Sequence, residues 1–155
     1  MFIRIGKNIV GPGYPTFIVA EMSANHGGSL DRALEIVRSA KRAGANAIKL
    51  QTYTADTITL KCDREDFRIP VVSPWANYST LWDLYVSAQT PWEWHKAIFQ
   101  EARTLDMEVF SSPFDESSVD LLETLDVNAY KIASPEITHI PLLEKVAKTG
   151  KPVIL

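Results

Sequence analysis

Five short apolar runs that do not alternate with polar residues constrain this chain more than any other feature. They lie at residues 16–20, 45–51, 107–111, 128–133 and 152–155. A strand with one wet face alternates apolar and polar side chains, whereas a strand covered on both faces does not. Stretches with helical spacing separate the runs. Residues 29–43 carry Leu30, Ala33, Leu34, Val37 and Ala40 on one side, with Ser29 placed to cap the start and Gly44 to end the helix. Thr90-Pro91-Trp92-Glu93 reads as a capping box with proline in the first turn, opening a helix to about Leu105. Asp115 opens a helix with Val119, Leu122 and Leu125 on one side, and residues 141–149 form another, ended by Gly150. The order β-α-β-α-β-α-β-α-β with buried strands predicts an α/β fold, a parallel sheet with helices outside.

Two architectures share that pattern: a doubly wound sheet and a (β/α)8 barrel. The turn after the first run, residues 21–28, lacks the GxGxxG expected of a doubly wound nucleotide fold. The chain stops on its fifth run, and a full barrel needs about 250 residues. The reading is therefore a partial (β/α)8 TIM barrel of about five strands, with residues 1–155 as the N-terminal part of a longer barrel domain. Ahead of it, Phe2, Ile3 and Ile5, then Gly6-Lys7-Asn8, then Ile9-Val10 predict a β-hairpin that plugs the barrel floor. Residues 45–52 resemble residues 127–134, with Asn46 matching Asn128 and Lys49 matching Lys131, as repeated βα units would. Residues 53–89 break the rhythm; they hold Trp75, Tyr78, Trp82 and Tyr85, and residues 80–88 have the pattern of a short amphipathic helix. Connections this long usually carry function.

Composition excludes several classes. With 16 Lys and Arg against 19 Asp and Glu, the net charge of −3 offers no basic face for nucleic acid. Cys62 is the only cysteine, so an intrachain disulfide and a cysteine zinc site are both excluded. No run approaches the ~20 apolar residues of a membrane helix, and the N-terminus lacks the apolar core of a signal peptide. The expectation is a cytoplasmic protein without membrane or nucleic-acid partners.

In a barrel, the loops at the C-terminal ends of the strands build the site. There the sequence places Glu21, Ser23, Asn25 and His26 after the first run. Lys49 and Gln51 follow on one face of the second, Ser112 on the third, and Lys131, Ser134 and Glu136 on the fourth. An unpaired lysine inside an apolar strand costs several kcal/mol. Two of them aimed into one barrel, with serine hydroxyls beside them, make a site for phosphate or carboxylate. Other readings stand beside this one. A strand lysine commonly snorkels or pairs with a carboxylate, here Glu21 or Glu136. His26 is open between a helix-start role and catalysis. His95 and His139 read as structural, Trp92 and Trp94 as packing, and Gly27-Gly28 as a turn. A lysine acting as a Schiff-base nucleophile would make the protein an aldolase.

Ala20-Glu21-Met22-Ser23-Ala24-Asn25-His26-Gly27-Gly28-Ser29, Ile48-Lys49-Leu50-Gln51-Thr52, Ser111-Ser112-Pro113-Phe114-Asp115, Tyr130-Lys131-Ile132-Ala133-Ser134 and Thr149-Gly150-Lys151-Pro152-Val153-Ile154-Leu155 together resemble the nonulosonic (sialic) acid synthases. Glu-Met-Ser-Ala-Asn-His, Thr90-Pro91-Trp92-Glu93-Trp94-His95 and Ser112-Pro113-Phe114-Asp115-Glu116 are more similar to the pseudaminic branch of that family. The resemblance implies condensation of phosphoenolpyruvate with an acetamido sugar, 2,4-diacetamido-2,4,6-trideoxy-L-altrose in that branch. N-acetylneuraminate or legionaminate synthesis is the alternative. It implies Lys49, Gln51, Ser112, Lys131 and Ser134 as substrate-binding residues and Glu21, Asn25, His26 and Glu136 as catalytic ones. It also implies a divalent metal, Mn2+ or Mg2+, whose two histidine ligands lie past residue 155. A C-terminal barrel half and an antifreeze-like domain would be absent from this chain, and the full-length enzyme would be a homodimer. Residues 53–89 would then sit over the sugar.

Overall fold

A computed structural model describes residues 2–155. A two-stranded antiparallel hairpin, β1 (Ile3–Ile5) and β2 (Asn8–Val10), precedes a five-stranded parallel sheet. The sheet consists of β3 (Val19–Glu21), β4 (Ala47–Thr52), β5 (Glu108–Pro113), β6 (Tyr130–Lys131) and β7 (Val153–Ile154), in that spatial order. A doubly wound sheet reverses its strand order at a switch point. Here each strand pairs with the next in sequence, as along the wall of a barrel.

Helices α1 (Leu30–Arg42), α4 (Trp92–Thr104), α5 (Glu116–Thr124) and α6 (Ile140–Lys148) form the crossovers. Ser29 accepts from the Arg32 N–H at the start of α1, and Asp115 accepts from Ser117 and Ser118 at the start of α5. Gly44 follows α1 at φ 87°, a conformation glycine adopts without a Cβ penalty. Val37 of α1, Ile98 and Phe99 of α4, Leu122 of α5 and Leu142 of α6 join Ile48, Leu50 and Val109 of the strands in one core. Every residue of β5 is buried, as in a strand covered on both faces.

Two boundaries differ from the sequence reading. The first run enters the sheet only at Val19, because Ile18 N–H donates to the Asn46 side-chain oxygen at 2.7 Å rather than to a strand. Thr90 does not cap α4: Pro91 holds the N-cap position, and the Thr90 side chain is buried against His26.

Residues 53–89 form α2 (Ala55–Ile58), a single 3-10 turn at Glu65–Phe67 and α3 (Leu81–Ala88). The α3 helix starts on a capping box between Thr80 and Asp83, and α2 and α3 pack together. Among the described residues no helix is long and apolar enough to cross a membrane.

The hairpin closes the N-terminal end of the barrel wall through one carboxylate. Glu108, the first residue of β5, is only 8% exposed. Its Oε1 accepts from Lys7 N–H and Asn8 Nδ2, each at 3.0 Å, and its Oε2 accepts from Asn128 Nδ2 at 2.7 Å. The carboxylate is held by neutral donors from the hairpin turn, from β2 and from the loop before β6. Gly6 sits directly against it at φ 54°, where a Cβ would overlap the Glu108 carboxylate. Gly6→Ala is therefore expected to destabilise the chain by about 2 kcal/mol or more, through both the collision and the left-handed backbone. Urea unfolding followed by circular dichroism measures this; an unchanged midpoint would refute the plug.

Candidate functional site

Side chains on β4 and β5 divide between two faces. On the helix side, Thr52 Oγ1 lies 2.9 Å from His95 Nε2 of α4 and 2.6 Å from Ser111 Oγ, all of them buried. His95 Nδ1 lies 3.1 Å from the Pro91 carbonyl, which only accepts, so Nδ1 carries the proton and Nε2 accepts from Thr52. Thr52 in turn accepts from Ser111. This chain leaves the intervening residues of β4 and β5 on the opposite face, toward the barrel interior.

That interior face gathers most of the residues singled out in the sequence. Glu21, Lys49 and Phe110 are register partners, as are Gln51 and Ser112. Lys49 Nζ pairs with the Glu21 carboxylate; the lysine side chain is 11% exposed and that of Glu21 54%. Ser23 sits at φ 49° and donates its hydroxyl to Gln51 Oε1 at 3.3 Å. Ser112 is fully buried, and its Oγ has no hydrogen-bond partner among the described residues.

Lys131 reaches the same face. Its neighbour Tyr130 points into the helix layer and donates to Glu123 of α5, so Lys131 points inward. The two lysines stand on β4 and β6 with β5 between them, a backbone separation of roughly 10 Å that two four-carbon stems can close. Beyond β6, Ser134 starts the 3-10 turn Ser134–Thr138 and is exposed. Glu136 lies in the same turn; its Oε2 is buried without a hydrogen-bond partner among the described residues. Burial pushes the Glu136 carboxyl up, opposed by a backbone hydrogen bond, His139 and Lys131.

His26 lies apart from this group, beneath the β3–α1 loop. The side chain is fully buried. Its Nδ1 accepts from the Gly28 N–H at 3.2 Å, its Nε2 lies 3.3 Å from Thr90 Oγ1, and Trp94 of α4 stands edge-on at 5.6 Å. Nδ1 thus braces the β3–α1 loop itself, while Nε2 ties it to Thr90 just ahead of α4. Asn25 is exposed at the rim, with its Nδ2 donating to the Met22 carbonyl at 3.0 Å.

The insertion roofs the strand ends. Tyr53, directly after β4, is 4% exposed and meets Tyr85 of α3 and Phe114 edge-to-face at 5.9 and 5.3 Å. Burial and the neighbouring Tyr85 push the Tyr53 hydroxyl up to about 12, so it stays a donor at neutral pH. Two hollows open here that share Gln51, Tyr53 and Tyr85; Asn25 and Trp75 line the outer one, Phe114 and Glu136 the inner. Tyr53 and Phe114 escaped the sequence reading. Their one signal is position: each follows the last residue of an inward-facing strand.

Among the described residues no cluster of three or more His, Cys, Asp or Glu is placed to hold a metal. The interior carboxylates are Glu21, paired with Lys49, and Glu136. These residues do not by themselves form a metal site.

Residues 36–155 match the model of the NeuB family. The chain belongs to that family. It is 48% identical over 139 residues to a pseudaminic acid synthase of Campylobacter jejuni, covering 90% of this chain and 40% of that protein. It is 46% identical to a pseudaminic acid synthase of Helicobacter pylori, covering 91% of this chain and 41% of the relative. Among solved structures, an N-acetylneuraminic acid synthetase of Leptospira borgpetersenii in complex with citrate superposes with a TM-score of 0.80 at 30% identity, covering 99% of this chain and 48% of that one. The chain thus spans about 40% of the length of the curated relatives it matches. That superposition, with the sequential strand order, makes the sheet one side of a TIM-type barrel.

Two histidines tie stability to pH. Burial holds both His26 and His95 below the ordinary value of 6.5. Above 6.5 the folded and unfolded forms are both neutral there. As pH falls below it, the unfolded chain binds protons that the folded chain refuses, so stability declines until the folded values are reached. The decline is expected to be at most about 1.4 kcal/mol per pH unit for each histidine. Urea midpoints between pH 7 and 5 measure it, and His95→Gln should flatten the slope.

Proposed function

We propose that this chain carries the enolpyruvate-binding part of a nonulosonic acid synthase. The reaction is the condensation of phosphoenolpyruvate with 2,4-diacetamido-2,4,6-trideoxy-L-altrose to give pseudaminic acid and phosphate. The reading rests on Lys49 of β4 and Lys131 of β6, on either side of β5, whose Ser112 Oγ is buried with no hydrogen-bond partner among the described residues. Phosphoenolpyruvate carries a carboxylate and a phosphate on three carbons, and its recognition needs cations and donors at close range. The likeness to two pseudaminic acid synthases at 46–48% identity supports the sugar assignment. Legionaminate and N-acetylneuraminate remain the competing products, since relatives of both kinds align at lower identity.

In this reading Lys49, Lys131, Ser112 and Ser134 hold the two anionic groups of the donor, with Gln51 beside them. C3 of the enolpyruvate attacks the sugar aldehyde, water adds at C2, and phosphate leaves by C–O cleavage. Glu21, tethered through Lys49, is exposed at the rim and orients the water or the aldehyde; Asn25 borders the same opening. A divalent metal supplies Lewis-acid polarisation of the aldehyde in such a reaction, and we propose that its ligands lie outside these residues. We place residues 1–155 as the N-terminal part of the barrel, and the complete enzyme as a cytoplasmic homodimer.

Lys49→Met and Lys131→Met, in the protein at its cellular length, should each lower kcat/KM for phosphoenolpyruvate about 10–150-fold, the worth of one hydrogen bond to a charged group. Ser112→Ala should lower it about tenfold. Phosphate release under steady-state conditions reads all three, and wild-type rates in both lysine variants would overturn the assignment. The 155-residue chain alone should release no phosphate from phosphoenolpyruvate, manganese and the sugar. Borohydride with pyruvate should trap no adduct; a trapped lysine would favour an aldolase.

A further inference from the structure

Lys131 stands on a very short support. The β6 strand is two residues long, and one register pair, Ser111 with Tyr130, joins it to β5. On its other side Tyr130 N–H donates to the Pro152 carbonyl and Ile132 N–H to that of Ile154, each at 2.9 Å. A ladder this short leaves the strand free to twist, so side-chain contacts must fix which way Tyr130 and Lys131 point.

Those contacts meet at one carboxylate. Tyr130 is fully buried, and its hydroxyl donates to Glu123 Oε1 of α5 at 2.5 Å. Lys151, two residues before β7, donates its Nζ to the same oxygen at 2.7 Å. Glu123 thus ties its own helix to β6 and to the lead-in of β7. Partial burial works against its charge, but the hydrogen bonds from Lys151 and Tyr130 hold the Glu123 carboxyl below its ordinary value, so it is ionised at neutral pH. Burial, and after it the bond to Glu123, push the Tyr130 phenol up, so it keeps its proton and donates. A buried phenol deprived of its acceptor would have to shift toward water.

We propose that Glu123 is a positioning residue for the donor site: by holding Tyr130 in the helix layer, it aims Lys131 into the barrel interior. Tyr130 and Lys131 are adjacent on the strand, so what keeps one side chain on the helix side keeps the other off it. The inference rests on the synthase reading for its kinetic consequence, because there Lys131 holds the donor. The anchor on β6 is the counterpart of the His95–Thr52–Ser111 chain that faces β4 and β5. Both strand lysines are then aimed by polar groups that lie on the helix side.

The test separates aim from folding. In the protein at its cellular length, Glu123→Ala removes the acceptor, while Glu123→Gln keeps an oxygen for the phenol. An amine-acylating reagent, read by peptide mass spectrometry, reports the exposure of each lysine. Labelling of Lys131 should quicken about fivefold or more in Glu123→Ala. It should stay at the wild-type rate in Glu123→Gln, and Lys49 should label unchanged in both. In steady-state phosphate release, Glu123→Ala should raise KM for phosphoenolpyruvate about fivefold or more, with the acceptor KM unmoved. Added to Lys131→Met, Glu123→Ala should cost nothing further, because its effect runs through that amine. Lys131 labelling that is unmoved, or that rises together with Lys49, would overturn the inference, as would a full additional loss in the double variant. If Lys131→Met leaves phosphoenolpyruvate kinetics at wild-type values, the donor assignment fails by itself, and the labelling still decides whether Glu123 aims the strand.

Discussion

The hydrogen-bonded chain His95–Thr52–Ser111 is the constraint on which the site depends. It fixes which faces of β4 and β5 turn toward the helices. Because strand side chains alternate, pinning Thr52 and Ser111 outward commits Gln51 and Ser112 inward, and Lys49 with them. A slip of one residue would bury both polar sets on the wrong sides. The buried imidazole is thus a structural part, held neutral by desolvation, and the interior polar face is its consequence.

A second polar contact sets the other end. Glu108 draws the hairpin turn and Asn128 onto one buried carboxylate and closes the floor. The barrel wall therefore carries the hairpin at its N-terminal end, with Glu21, Lys49, Gln51 and Ser112 toward the other end of the strands. The insertion covers that other end with aromatic edges from Tyr53, Tyr85 and Phe114.

Much of the secondary structure was legible because its signals are local. Ser29 and Asp115 cap the helices the sequence assigns to them, and α3 starts on the Thr80 box. The five unbroken apolar runs predicted strands covered on both faces, and all five pair in parallel. Where a local signal had a tertiary competitor, the competitor won. Thr90 has the sequence of an N-cap, yet its hydroxyl turns to His26 because both are sealed between the β3–α1 loop and α4. His26 sits in the most distinctive motif of the chain, yet is buried beside Thr90 and the edge of Trp94.

The sequence by itself brought out the two strand lysines as a pair, because the match of residues 45–52 to 127–134 gives Lys49 and Lys131 equivalent places. Which face they take was decided on the helix side, by the contacts of Thr52 with Ser111 and His95 and of Tyr130 with Glu123. Only the tertiary structure decided between barrel and doubly wound sheet, because strand order is a matter of pairing between segments far apart in sequence. It alone also revealed the Glu108 tie and the roof of aromatic rings. Each of those joins residues whose spacing carries no period, so no pattern along the chain could announce them.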